Sequence, residues 1–258
     1  MSDMPPEIDW IDSYYEALEF FYWEPQHIGR KKHADGRLRT VDQVQRHLRR
    51  METTLNQLLS QFFLLAPTSL RNRLFERLFD EEFRRPFVSL GRDVDELFSL
   101  QKATQPDLLF VSDREVVAIE MKIGAKCSVE QVLKYALLAL AVEIRTGRTM
   151  AHRLALLGHG DFARQWQERF TSPAELVRAL RDADIDAFLA KTPQFQEYAD
   201  RLTDIVTESR FSYFDYADLA GFLRAERPSD HDQTAGAEVY RKLIDGVLAE
   251  LDRRHLCP

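Results

Sequence analysis

Cysteine is nearly absent: Cys127 and Cys257 are the only two in 258 residues. Two thiols cannot alone complete a four-ligand zinc or iron–sulfur site, and they suggest no disulfide framework. Long apolar runs are also missing. None approaches the roughly 20 residues that cross a bilayer, so no membrane partner is expected. The N-terminal MSDMPPEIDW is acidic and lacks the basic-then-apolar pattern of a leader, which makes cytoplasmic residence the expectation. No internal repeat is visible. Positive charge is in short supply, with 35 Lys/Arg against 42 Asp/Glu and a net charge of −7. That balance weighs against a broadly phosphate-binding surface. The deficit is uneven, however. Between Arg30 and Arg50, eight basic residues (Arg30, Lys31, Lys32, Arg37, Arg39, Arg46, Arg49, Arg50) stand against Asp35 and Asp42, enough for a local basic path.

The content that is present, 45% hydrophobic and 30% charged, is that of a globular chain with one large core or a core with additions. Its organising stretch is QPDLLFVSDREVVAIEMKIGAKCSVEQVLKY, residues 105–135. Two apolar runs, Leu108–Val111 and Val116–Ile119, flank the turn-like Ser112-Asp113-Arg114-Glu115, which predicts a β-hairpin. In the second run Val116, Ala118, Glu120 and Lys122 share one parity and so one face of a strand. Asp107 opens the neighbouring antiparallel strand and can reach the same strand end. Two carboxylates with a lysine beside them make a hard-cation site suited to phosphodiester hydrolysis. Either acid taken singly reads as a cap or a salt-bridge partner; the set together points to chemistry. The site is expected in a wet, polar cleft.

Pro106-Asp107 followed by Glu120-x-Lys122 resembles the PD-(D/E)xK nuclease superfamily. Gln131-Val-Leu-Lys-Tyr135, on the helix expected to follow, is similar to the QxxxY motif of its RecB-like and λ-exonuclease-like branch. Gln131 and Tyr135 are spaced i, i+4 and share one helix face. The resemblance covers roughly residues 70–160. It implies a mixed α/β fold with a restriction-endonuclease-like αβββαβ core. It implies Mg²⁺, or Mn²⁺, held by Asp107, Glu120 and the backbone carbonyl of Met121. It assigns Lys122 to the attacking water and the phosphate charge, and Gln131 and Tyr135 to the metal-water network and the substrate backbone. The family usually carries a further acid on the preceding helix. Glu76 is the candidate, with Glu81, Glu82, Asp93, Asp95 and Glu96 as further possibilities and a solvated surface acid as the alternative reading.

The division expected is a helical N-terminal region (1–67), a nuclease core (68–161) and a helical C-terminal region (162–258). Residues 8–23, IDWIDSYYEALEFFYW, suggest an aromatic-rich helix, packed in the core or stacked on unpaired bases. Arg30, Lys31 and Lys32 are candidate phosphate contacts on a loop, as is Lys126, each with a solvated lysine or arginine as the alternative. Val41–Leu65 reads as one long amphipathic helix. A second is expected over Leu70–Phe83 behind Thr68 or Ser69 as cap. A short strand, Phe87–Leu90, should follow, then the hairpin. Ser128 is placed to cap a helix over Val129–Thr146, and Arg153–Leu157 reads as the next strand, with His159 just beyond it. Phe211–Tyr216 reads as an aromatic turn and helix start. Val239, Leu243, Val247, Leu248 and Leu251 should stripe a last helix.

Two functions compete. One is a metal-dependent nuclease acting on DNA, with RNA as a possible substrate, in repair, restriction or phage defence. The other is a catalytically degenerate nuclease-fold module that binds nucleic acid or assembles with a protein through its acidic C-terminal helices.

Overall fold

The computed structural model describes residues 9–22, 40–84, 87–89, 107–123 and 127–257. Arg30, Lys31, Lys32, Lys126, Pro106, Asp93, Asp95 and Glu96 lie outside them. The chain forms two compact units, Phe63–Leu219 and a second made of Met1–Phe62 with Ala220–Pro258. Position 161, where a boundary was expected, falls inside the first of these; residues 162–219 of the expected C-terminal region belong to that unit too, and residues 220–258 join residues 1–62 in the second. No helix among the described residues is long and apolar enough to cross a membrane.

The unit 63–219 is a mixed α/β body built on a five-stranded sheet of order β1-β2-β3-β4-β5. The strands are β1 Val88–Ser89, β2 Leu108–Val111, β3 Glu115–Met121, β4 Ala151–Gly158 and β5 Arg210–Asp215. The first two pairings are antiparallel and the last two parallel. In register, Leu109, Ala118, Leu154 and Phe211 line one face, while Phe110, Val117, Arg153 and Arg210 line the other. Helix α5 (Val129–Thr146) packs through Leu133, Leu137 and Leu140 into the core of the first face. The Ser128 side chain accepts from Gln131 N at its start, and Gly147, at φ +64°, ends it. Helix α4 (Thr68–Phe79) serves the second face: the Phe75 ring lies edge-on to Phe110, 5.3 Å between centroids. It begins behind Pro67 without a side-chain cap and stops at Asp80, which adopts a left-handed conformation with φ 54°.

Of Phe211–Tyr216, expected as a turn and helix start, residues up to Asp215 are part of the fifth strand, while a helix, α10 (Tyr216–Glu226), does begin at Tyr216. The strand's Phe-Ser-Tyr-Phe alternation fits a pleat once the parallel register to β4 is available. The unit's helices α6 (Phe162–Gln165), α7 (Pro173–Arg181), α8 (Ile185–Leu189) and α9 (Ala199–Glu208) separate β4 from β5.

His152 of β4 is 6% exposed, and its Nδ1 lies 2.6 Å from Ser209 Oγ. Ser209 donates its own proton to Ile205 O, so the imidazole donates through Nδ1 while Nε2 finds no partner among the described residues. Burial, reinforced by Arg153, pushes the His152 pKa down to about 4 from 6.5. The unfolded chain therefore takes up a proton between those values that the folded chain refuses. The associated stability is whole above about pH 6.5 and lost as pH falls toward 4, roughly 3 kcal/mol in all. Denaturant titrations across that window should fall more steeply for the wild type than for His152→Leu. Parallel slopes would show that the imidazole is not refusing the proton.

In the other unit, the expected long helix breaks at Met51 into α2 (Val41–Arg50) and α3 (Glu52–Leu65). Met51 is extended, at φ −74° and ψ 131°. The Thr54 hydroxyl donates to Leu48 O at 2.6 Å, and Arg254 Nη1 to Met51 O at 3.1 Å, so two carbonyls at the break are satisfied. Apolar spacing does not register a one-residue break. Helix α1 (Trp10–Tyr22) meets the last helix, α11 (Ala235–Arg253), where the Trp10 indole donates to Lys242 O at 2.9 Å. Gly246 makes the approach possible, since a Cβ there would lie 2.1 Å from Trp10 Nε1. The buried stripe of α11 uses Ile244, Val247 and Leu251; Val239 is 59% exposed. Glu250, fully buried, accepts from Tyr15 OH at 2.7 Å and pairs with Arg49 at 2.6 Å and Arg254 at 2.7 Å. Tyr15 is thus core, and desolvation pushes its phenol up to about 12.

Candidate active site

The pleat of β3 sends Glu120 to the face covered by α5, at the strand's C-terminal end. Leu108 pairs with Ile119, so Asp107 stands opposite Glu120 one step outward. Asp107 Oδ2 accepts from Met121 N at 2.8 Å and ties the open end of the hairpin. Lys122 N donates to Leu157 O at 2.8 Å, extending the parallel ladder past β3 and fixing the lysine's origin.

Three side chains converge on the Glu120 carboxylate. Lys122 Nζ lies 2.5 Å from Oε1. Gln131 Nε2 also donates to Oε1, and Tyr135 OH donates to Oε2. The Ser128 cap sets the phase of α5 so that both i, i+4 partners face β3. A carboxylate has about four acceptor positions, and these contacts use three. Tyr135 is 1% exposed. Burial, then the charges of Glu120 and Asp107, hold its phenol well above the usual range, so it remains a protonated donor. The expected wet cleft is drier than foreseen: the side chains of Lys122 and Glu120 are 10% and 8% exposed. The helix roofs the strand end and removes it from water.

Glu76 does not join this group. Its carboxylate accepts from Phe83 N at 3.3 Å. Phe83 lies beneath the Arg153 guanidinium, which pairs with Glu81 and with Glu115, the first residue of β3. Glu76 thus helps to turn the chain after α4 at the strand end away from Glu120, and Glu81 is bound into that same arginine cluster. The His159 side chain is exposed, and its carbonyl accepts from Gln165 Nε2 at 3.0 Å. Among the described residues no group of three or more His, Cys, Asp or Glu is placed to hold a metal ion. The oxygens that a cation could draw on here are those of Asp107, Glu120 and the Met121 carbonyl, the two carboxylates already accepting hydrogen bonds. They suit a hard divalent ion that keeps several of its waters.

Beside Glu120, Gln131 and Tyr135 a small cleft is walled by Leu154, Leu156, Trp166 and Phe211. The sequence reading named none of these four as site residues. Leu154 and Leu156 share the parity of Glu120 across the ladder and were legible in principle; Trp166 and Phe211 arrive from segments read as peripheral. Two described members of the basic stretch are paired elsewhere: Arg46 with Asp42 at 2.5 Å, and Arg49 with Glu250 and Asp12. Comparison with protein-family models, curated proteins and solved structures gives no match.

Proposed function

We propose that the chain is a metal-dependent nuclease of the PD-(D/E)xK type, hydrolysing phosphodiester bonds of DNA. The observation that carries this reading is the convergence of Lys122, Gln131 and Tyr135 on Glu120, beside Asp107. Five residues singled out by motif meet at one strand end, and a chance motif gives no reason for them to do so. The order α4-β1-β2-β3-α5-β4 supports a restriction-endonuclease-like core.

In this reading Asp107, Glu120 and the Met121 carbonyl hold Mg²⁺ or Mn²⁺, which supplies Lewis acidity and an acidified water. The chain's own residues do the positioning. Gln131 and Tyr135 hold Glu120 in one rotamer, Asp107 fixes the Met121 peptide, and Lys122 places a cationic group where phosphate charge grows.

A second reading draws on the same carboxylate. Three donors on one buried acid also describe a structural ion-pair network, and with a net charge of −7 the chain would be a degenerate core that binds without cutting. Incubating purified protein with linear and circular, single- and double-stranded DNA, and with RNA, under Mg²⁺, Mn²⁺ or EDTA separates the two. Cleavage that EDTA abolishes is expected. Binding without cleavage at any metal concentration would favour the second reading.

A further inference from the structure

Lys122 does more than stand beside Glu120: its ammonium occupies Oε1 at 2.5 Å, with both side chains about nine-tenths buried. Gln131 takes a second position on the same oxygen, and Tyr135 holds Oε2. A cation approaching Glu120 meets an oxygen already neutralised by a positive charge. Two cations cannot share a poorly solvated carboxylate oxygen without strong repulsion. The neutral donors Gln131 and Tyr135 carry no net charge and can remain.

We propose that Lys122 is an internal counter-cation for Glu120 which a divalent ion displaces on binding, so that this lysine sets metal affinity and is released into the cleft by the metal. The proposal rests on the nuclease reading of the site. Its consequence is coupling: Lys122 faces the phosphate only when the metal has arrived. The ordinary view, in which the lysine acts independently of metal loading, predicts no such linkage.

The test is direct binding of Mn²⁺ by electron paramagnetic resonance, at about pH 8, to wild type, Lys122→Met, Lys122→Arg and Glu120→Gln, with folding checked by circular dichroism. Removing the competing charge should tighten Mn²⁺ binding by about tenfold or more in Lys122→Met. Lys122→Arg, which keeps the charge, should not tighten it. A second measurement uses the wild type alone: modification of Lys122 by an amine-reactive reagent, read by mass spectrometry, should accelerate when Mn²⁺ is added. Equal Mn²⁺ affinity in wild type and Lys122→Met, or protection of Lys122 by Mn²⁺, overturns the proposal. If the wild type binds Mn²⁺ and Glu120→Gln does not, the nuclease reading survives that failure. If no protein binds Mn²⁺, both fall together.

Discussion

Glu120→Gln should lower metal-dependent cleavage by about a thousandfold or more, because a transition-state loss near 4 kcal/mol suffices. The change keeps the volume but alters the site in two ways. It removes the negative charge facing Lys122. It also replaces one acceptor oxygen with an amide that donates, in a place where Lys122, Gln131 and Tyr135 already donate. One of those donors must lose its partner. Because Glu120 is only 6% exposed, the variant should also lose stability, by about 1–3 kcal/mol for a buried donor left unsatisfied. The activity assay therefore belongs beside a thermal melt, at a temperature where the variant remains folded. Wild-type cleavage by the folded variant would remove Glu120 from the chemistry and make the binding reading the better one.

The largest effect on stability is expected in the other unit. Glu250 is fully buried, and Glu250→Ala removes the acidic partner of Arg254, whose own side chain is 7% exposed. Arg49 keeps Asp12, 2.8 Å away, while Tyr15 loses its acceptor. Breaking a buried pair from one side costs about 3–5 kcal/mol, since the surviving charge stays desolvated. For a chain of this length that corresponds to a fall in Tm of roughly 10 °C. Scanning calorimetry of the variant measures it directly. A Tm within a degree or two of wild type would mean that Arg254 finds solvent and that the network contributes little.

Much of the site was readable because its signals are local. The strand Leu108–Val111 and the helix Val129–Thr146 begin and end where the sequence reading set them. In the helix, Ser128 and Gly147 act on the backbone a few residues away, and periodicity does the rest. What escaped was information held by distant partners. Phe211 to Asp215 becomes a strand only because β4 lies alongside it, separated in sequence by four helices. Glu76 was assigned to the metal from its place on the preceding helix, but the exit of α4 through Asp80 commits it to Phe83 N. For Glu250 the sequence shows only an i, i+4 arginine, Arg254. A glutamate so placed on an amphipathic helix reads as solvated until Arg49 and Tyr15, distant in sequence, close over it.

The meeting of α1 with α11 sets an order of events during synthesis. Trp10 waits for the carbonyl of Lys242, and Tyr15 and Arg49 wait for Glu250, more than 200 residues later in the chain. Residues 63–219, with their sheet and its carboxylate cluster, leave the ribosome in between. The nascent chain thus carries an exposed aromatic and arginine surface through most of its own translation, while the sheet-bearing unit already has all the residues it needs to fold. A pause or truncation before residue 242 would leave a completed sheet-bearing body attached to an unfinished helical one, with the apolar face of α1 open to chaperones and to other chains.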